Sequence, residues 1–361
     1  MSRRFLPLVA AIVLLAGLVS APRPVASAAG GGRLPSRVSD REFWALIADL
    51  SEPGGTFRSD NLLSNESRLQ FVIPDLVRTA RRAGAYVGVG PEQNFTYIAA
   101  LQPSIAFIVD IRRGNLQLHL LYKALFELSA DRAEFVSRLF SRPRPDSLGA
   151  ASTVSDIFDA YAAVPPSEAL YDESLRAVER RLEHEHGFAL SNDDLSGISY
   201  VFHAFYEFGP GINYSSTETG SASAGFRPTY ADLMVATDAA GDMRSYLASE
   251  ESFAIVKALQ TKNLVVPVVG DFAGPKAIRA VGAFLRRHDA TVSAFYVSNV
   301  EQYLRLERVW GSFCGNAARL PIDEASTFIR AGRGGRYSRG TALTAELAPI
   351  AAEVEGCDRR P

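Results

Sequence analysis

Ala85-Tyr86-Val87-Gly88-Val89-Gly90-Pro91-Glu92-Gln93-Asn94, followed after a break by Ile105-Ala106-Phe107-Ile108-Val109-Asp110, carries the strongest structural signal in the chain. Ala85 to Val89 reads as a strand, and the glycines at its end permit a tight turn and close approach of a ligand to the backbone. Pro91 suits a first helical position, because its missing N–H would have no intrahelical partner there. A helix from Glu92 to about Leu101 follows and is broken by Gln102-Pro103. Ile105 to Val109 is continuously apolar, as a parallel strand covered on both faces must be. It ends on Asp110, 20 residues beyond Gly90, where a carboxylate can accept hydrogen bonds from two ribose hydroxyls.

Working outward, a helix is expected from about Arg41 to Leu50, capped by Ser39 or Asp40, and another from about Pro74 to Arg82. Gly114 to Leu128 reads as a helix. Residues 131–190 read as helical, punctuated by Pro143, Pro145 and Pro165-Pro166, and form a helical insertion or cap. Phe208 to Phe226 is rich in Gly, Ser, Thr and Asn and reads as a long loop. Alternation then resumes: a strand at Asp232–Thr237 ending on Asp238, a helix at Ser249–Gln260, a strand at Leu264–Val269, a helix at Pro275–Arg287, a strand at Thr291–Val297, a helix at Val300–Phe313 and a short strand at Thr327–Arg330. Strands separated by helices imply parallel pairing through right-handed crossovers. The expected class is α/β, with a Rossmann-like, mainly parallel sheet flanked by helices. It spans residues 70–330, after a leader and helical prelude at 29–69 and before a weakly packed tail at 331–361.

Gly88-x-Gly90 with Asp110 resembles the class I S-adenosylmethionine-dependent methyltransferase fold. The resemblance extends loosely over residues 70–330 and is specific over 85–110. It implies a glycine loop at Gly88–Gln93, a ribose-binding acid at Asp110 and S-adenosylmethionine as cofactor. The longer string Gly88 to Tyr97 is also similar to a signature of an exported bacterial family with no assigned activity. Three departures stand out. Gln93 occupies a position where a dinucleotide fingerprint has Gly or Ala. No acidic residue precedes the glycines on the strand. Thr237-Asp238-Ala239-Ala240-Gly241 replaces the Asn-Pro-Pro-Tyr type of motif.

In open parallel sheets, ligands sit beyond the carboxyl ends of the strands, where strand order reverses. The candidate cofactor-binding residues are therefore Gly88, Gly90, Glu92, Gln93, Asp110 and Asp238. Asp271, Ser298, Asn299 and Glu301 also fall at strand ends, and Arg112 and Arg113 can grip a carboxylate or phosphate. Histidines offer little: His184 and His186 have the wrong spacing for a shared metal. His119 and His203 lie among apolar residues and read as core. No catalytic residue and no metal site is assigned.

Composition narrows the setting. The chain has 361 residues, 47% of them hydrophobic, and a formal charge of −2, with no electrostatic footprint for nucleic acid. Arg3 and Arg4 followed by the apolar run Phe5–Val19 give the layout of a secretory signal peptide, with cleavage expected after Ala28. Ser2-Arg3-Arg4-Phe5-Leu6 resembles a twin-arginine signal, which exports proteins already folded. The expected location is periplasmic or extracellular, with no membrane span after signal removal. Cys314 and Cys357, the two cysteines, invite a disulfide in an oxidising compartment. Three functions fit: a methyltransferase-like protein binding a nucleoside-like or other small molecule, an oxidoreductase holding a nicotinamide cofactor, or a non-catalytic binding or assembly protein. Compartment argues against turnover of S-adenosylmethionine, which is made in the cytoplasm.

Overall fold

The computed structural model describes residues 33–218, 227–332 and 344–357. The expected signal peptide lies outside the described residues, as do parts of the long loop and of the tail. Among the described residues no helix is long and apolar enough to cross a membrane.

Helix α1 (Asp40–Leu50) starts at a capping box in which Ser39 and Glu42 satisfy each other's backbone N–H groups. A short 3₁₀ turn (Leu69–Val72) leads into α2 (Ile73–Thr79). Then come β1 (Ala85–Gly88), α3 (Gln93–Leu101), β2 (Ile105–Asp110) and α4 (Arg113–Leu128). The helical stretch comprises α5 (Arg132–Phe140), α6 (Val154–Ala162), α7 (Glu168–Glu179), a π-helical segment (Arg180–Glu185) and α8 (Asn192–Phe208). Helices α9 (Tyr230–Val235) and α10 (Glu250–Thr261) precede β3 (Val265–Val269), α11 (Ala277–Arg287) and β4 (Val292–Ser298). The chain continues through α12 (Val300–Leu306), α13 (Trp310–Ala317), β5 (Thr327–Gly332), β6 (Thr344–Pro349) and α14 (Ile350–Glu353).

The strands form one sheet in the order β3-β2-β1-β4-β5-β6. The first five are parallel and β6 runs antiparallel to β5 at the edge. The protein is thus α/β and Rossmann-like. From β1 the chain steps outward to β2 and β3 and then returns to place β4 on the other side. The reversal opens a crevice between β1 and β4, beyond their carboxyl ends. Residues of β1, β2 and β3 are buried without interruption, which accounts for their unalternating apolar sequences.

The helical stretch shares the core of the sheet domain. Phe95 of α3 meets Tyr122 and Phe126 of α4 edge-on at 5.2 and 5.3 Å, and Phe126 packs on Phe135 of α5 at 4.6 Å. A buried ionic cluster fastens α1 to this layer. Lys123 and Glu127 pair at 2.7 Å, and His186 bonds Glu127 at 2.7 Å and Asp40 at 2.9 Å.

Three expectations need correction. Asp232–Thr237 is not a strand: Thr229 caps α9 through a capping box with Asp232, which commits Leu233 and Met234 to helical geometry. The helix expected at Val300–Phe313 is two, α12 and α13, with Arg308 between them at a φ of 62°. The tail is not weakly packed where it is described. β6 pairs with β5 through residues 344–349, and Cys357 forms a disulfide with Cys314 at a Cα–Cα distance of 5.6 Å.

Candidate functional site

The turn after β1 is shaped by two side chains. Gly90 has a φ of 77°, a left-handed conformation that a side chain makes costly. Gly88 has no room for one, since an added Cβ would lie 2.0 Å from Asn94 Oδ1. The Asn94 Nδ2 lies within hydrogen-bond distance of the Val89, Gly90 and Pro91 carbonyls, at 2.9, 3.1 and 2.7 Å. His119 on α4 reaches the same loop, its Nε2 at 2.9 Å from the Gly90 carbonyl. Because a carbonyl only accepts, Nε2 carries the proton. Burial pushes the His119 pKa down to about 4, so the ring is neutral.

The loop opens on a cavity of about 460 Å³ at the β1–β4 crevice. That volume lies within the ~300–1,000 Å³ typical of small-molecule sites. Gly90 and Gln93 line it from the first turn, Asp110 and Arg112 from the end of β2, and Asp271 from the end of β3. Ser298 and Asn299 line it from the end of β4. The other side comes from the irregular segment between α1 and α2, through Arg58, Ser64 and Glu66, and Tyr214 and Arg227 also line it.

Glu66 is 1% exposed. Its Oε1 accepts hydrogen bonds from the Tyr296 hydroxyl and the Ser298 hydroxyl, both at 2.5 Å, while Oε2 has no partner. Gln93 Nε2 donates to the Tyr296 hydroxyl at 3.1 Å, which leaves Gln93 Oε1 also without a partner. Glu92, at the position before α3, is fully buried and accepts from the Ser64 backbone N–H at 3.2 Å. Burial pushes its pKa up to about 8 against the pull of that hydrogen bond, and the neighbouring Glu66 adds to the rise. Glu66 is raised as well, by burial, despite its two hydroxyl donors. A buried carboxyl of raised pKa that lines a cavity, as Glu66 does, marks a candidate functional site.

Of the six expected binding residues, Gly90, Gln93 and Asp110 line the cavity, whereas Gly88, at the end of β1, and the buried Glu92 belong to the same turn without lining it. Asp110 is already engaged. Arg112 grips it bidentately, with Nε on Oδ1 at 2.9 Å and a second nitrogen on Oδ2 at 2.8 Å, and the Arg112 backbone N–H adds a bond to Oδ1. Arg113 points elsewhere and pairs with Asp194 on α8 at 2.7 Å. Both arginines thus grip carboxylates, though of the protein itself. Asp238 is not among the residues lining the cavity. It follows α9, where its carboxylate accepts from the Ala240 and Asp242 backbone N–H groups and from Arg244. Glu66, Ser64 and Tyr296 carry no sequence signal. Glu66 is a lone acid on a segment without periodicity, and Tyr296 is one apolar-looking position in a buried strand.

No curated protein matches the chain in sequence. The model of a protein family described as "Domain of unknown function (DUF7790)" matches residues 62–193 and 220–347. These two segments carry Glu66, the glycine loop, Asp110, Tyr296 and Ser298, and they cover most of the chain, which therefore belongs to that family.

Proposed function

We propose that the protein is an exported, methyltransferase-like protein that binds a nucleoside-sized small molecule in the cavity at the glycine loop. The observation that carries this reading is the position of the cavity. It lies at the reversal of strand order, with the loop on one wall and the tip of β2 beside it. Asp110 Oδ2 accepts one protein hydrogen bond and retains acceptor capacity for a ribose hydroxyl. The Cys314–Cys357 disulfide supports an oxidising destination, together with the signal-like first residues. If the protein is an enzyme, methyl transfer is the first chemistry to test, although S-adenosylmethionine is not replenished outside the cytoplasm.

A tightly held nicotinamide dinucleotide fits less well. A pyrophosphate at this turn would need free N–H groups and a positive field at the start of α3. That position instead carries Glu92, with Glu66 nearby and Gln93 in place of a small residue.

Native mass spectrometry of gently purified mature protein, challenged with S-adenosylmethionine, S-adenosylhomocysteine and NAD, tests the reading. The expected result is a nucleoside adduct that is lost in Asp110→Asn. Asparagine is preferable to alanine because it keeps an acceptor for Arg112. If no nucleoside binds, the resemblance is architectural, and a protein partner of α5–α8 becomes the reading to pursue by pull-down.

A further inference from the structure

The wall of the cavity has a chemical polarity that the glycine loop by itself would not suggest. Strand–loop–helix turns of this kind usually receive anions, because the helix start offers unpaired N–H groups and the positive end of its dipole. Here that end is met by a carboxyl of the chain itself, Glu92, and a second buried carboxyl, Glu66, stands close enough to raise it further. Neither is paired with a cation among the described residues. Glu66 is held by hydroxyls and Glu92 by backbone N–H groups.

The direction of the hydrogen bonds is equally telling. Gln93 gives its N–H to Tyr296, and Tyr296 gives its O–H to Glu66, so the chain of donors ends at Glu66. What remains, besides the unpartnered Arg227 Nε, is two acceptors, Glu66 Oε2 and Gln93 Oε1, buried and without donors, on residues that line the cavity. Leaving such groups unmatched is unfavourable, and a ligand that supplies donors recovers that cost. The basic residues of the lining do not supply them. Arg112 is bound to Asp110, Arg58 donates to the Tyr303 hydroxyl at 3.0 Å, and Arg227 packs over the Tyr214 ring.

We infer that Glu66, Gln93 and Tyr296 form a subsite for a protonated amine or an equivalent N–H-rich cation, and that the loop turns phosphates away. The inference rests on the cavity being a nucleoside-sized site and names the group that site selects. In the complex the Glu66 carboxylate faces the ligand ammonium, which donates to Oε2, so the two charges offset each other within the pocket.

The test uses one nucleoside scaffold in three charge states, namely 5′-amino-5′-deoxyadenosine, adenosine and AMP, titrated calorimetrically into the mature protein and its Glu66→Gln variant. The amine is expected to bind wild type at least about tenfold more tightly than AMP. Glu66→Gln should abolish that preference, and a cooperative thermal melt of the variant shows that it is folded. AMP binding as tightly as the amine would overturn the inference and leave the small-molecule site standing. So would a preference for the amine that survives Glu66→Gln. If none of the three binds wild type, the proposed nucleoside site falls, and the subsite with it.

Discussion

The Tyr86 hydroxyl donates to Asn94 Oδ1 at 2.8 Å, tying β1 to α3 across the turn that both flank. The amide nitrogen of the same side chain faces three loop carbonyls. Asn94 thus works as a clamp with one acceptor arm and one donor arm. Asn94→Ala removes both and should cost about 2–4 kcal/mol, as buried groups lose their partners. Urea unfolding measures this. A loss below about 1 kcal/mol would show that water replaces the clamp at no cost. Asn94→Asp should be at least as damaging, because a carboxylate offers those carbonyls no donor.

The two loop glycines should respond differently to alanine. At Gly90 the obstacle is the φ of 77°, with the nearest neighbour of an added Cβ at 3.3 Å. The expected cost is about 1–2 kcal/mol. At Gly88 the obstacle is collision with the Asn94 clamp, and the loss should be larger. Thermal melts of the two variants side by side check the order.

Stability should fall as pH rises from 6.5 to 8. Glu92 keeps its proton in the fold up to about pH 8 but in the unfolded chain only to about 4.5. Folding therefore takes up a proton in that interval, and its contribution fades with rising pH. His119 acts oppositely. It is neutral in the fold down to about pH 4, whereas the unfolded ring is protonated below 6.5. The two slopes offset each other below 6.5, and above it the raised carboxyls act alone. A decline of about 2 kcal/mol between pH 6.5 and 8 is expected from Glu92. Glu92→Gln should flatten most of it, read from urea midpoints at several pH values.

Removing one member of the Lys123–Glu127–His186–Asp40 cluster should be costly. Burial lowers the Lys123 pKa while Glu127 supports its charge, and Glu127 is itself held low by His186 and Lys123 against the effect of burial. Glu127→Ala leaves the Lys123 ammonium, 2% exposed, with the Gln260 carbonyl and the face of Phe43, and a loss of about 3–5 kcal/mol is expected. Hydrogen exchange in α1 should rise in this variant, since Asp40 is tied to the cluster through His186.

The disulfide closes a loop with a sequence separation of 43. Reduction, or Cys314→Ser with Cys357→Ser, should lower stability by roughly 2–4 kcal/mol. Denaturant midpoints with and without reductant test it, and a peptide map under non-reducing conditions should show the linked pair.

Much of the architecture was written locally. Ile105–Val109 and Leu264–Val269 are apolar without alternation, and this marks parallel strands wherever they sit in a chain. The glycine turn with Asp110 locates one wall of the cavity for the same reason. The misread segment, Asp232–Thr237, is short enough for either structure, and the informative residue was Thr229, outside the apolar run. The opposite wall could not be read. Glu66 acquires its meaning from Tyr296 and Ser298, most of the chain away, and nothing about an isolated Glu in an irregular segment encodes that meeting. β6 was missed because Thr344–Pro349 is half alanine and proline, with little β propensity.

The last strand also has a part in assembling the cavity wall, although none of its residues lies there. Thr344, at the head of β6, bridges to Arg68, two positions beyond Glu66. The segment bearing Glu66 is therefore fixed at the sheet edge by a piece of chain far along the sequence. Ordering of that wall depends on a contact of very long sequence separation, for which β5 and β6 must have paired. A chain lacking β6 would present the glycine loop formed but the acidic wall without its edge anchor, so ligand competence depends on a strand that lines no part of the cavity.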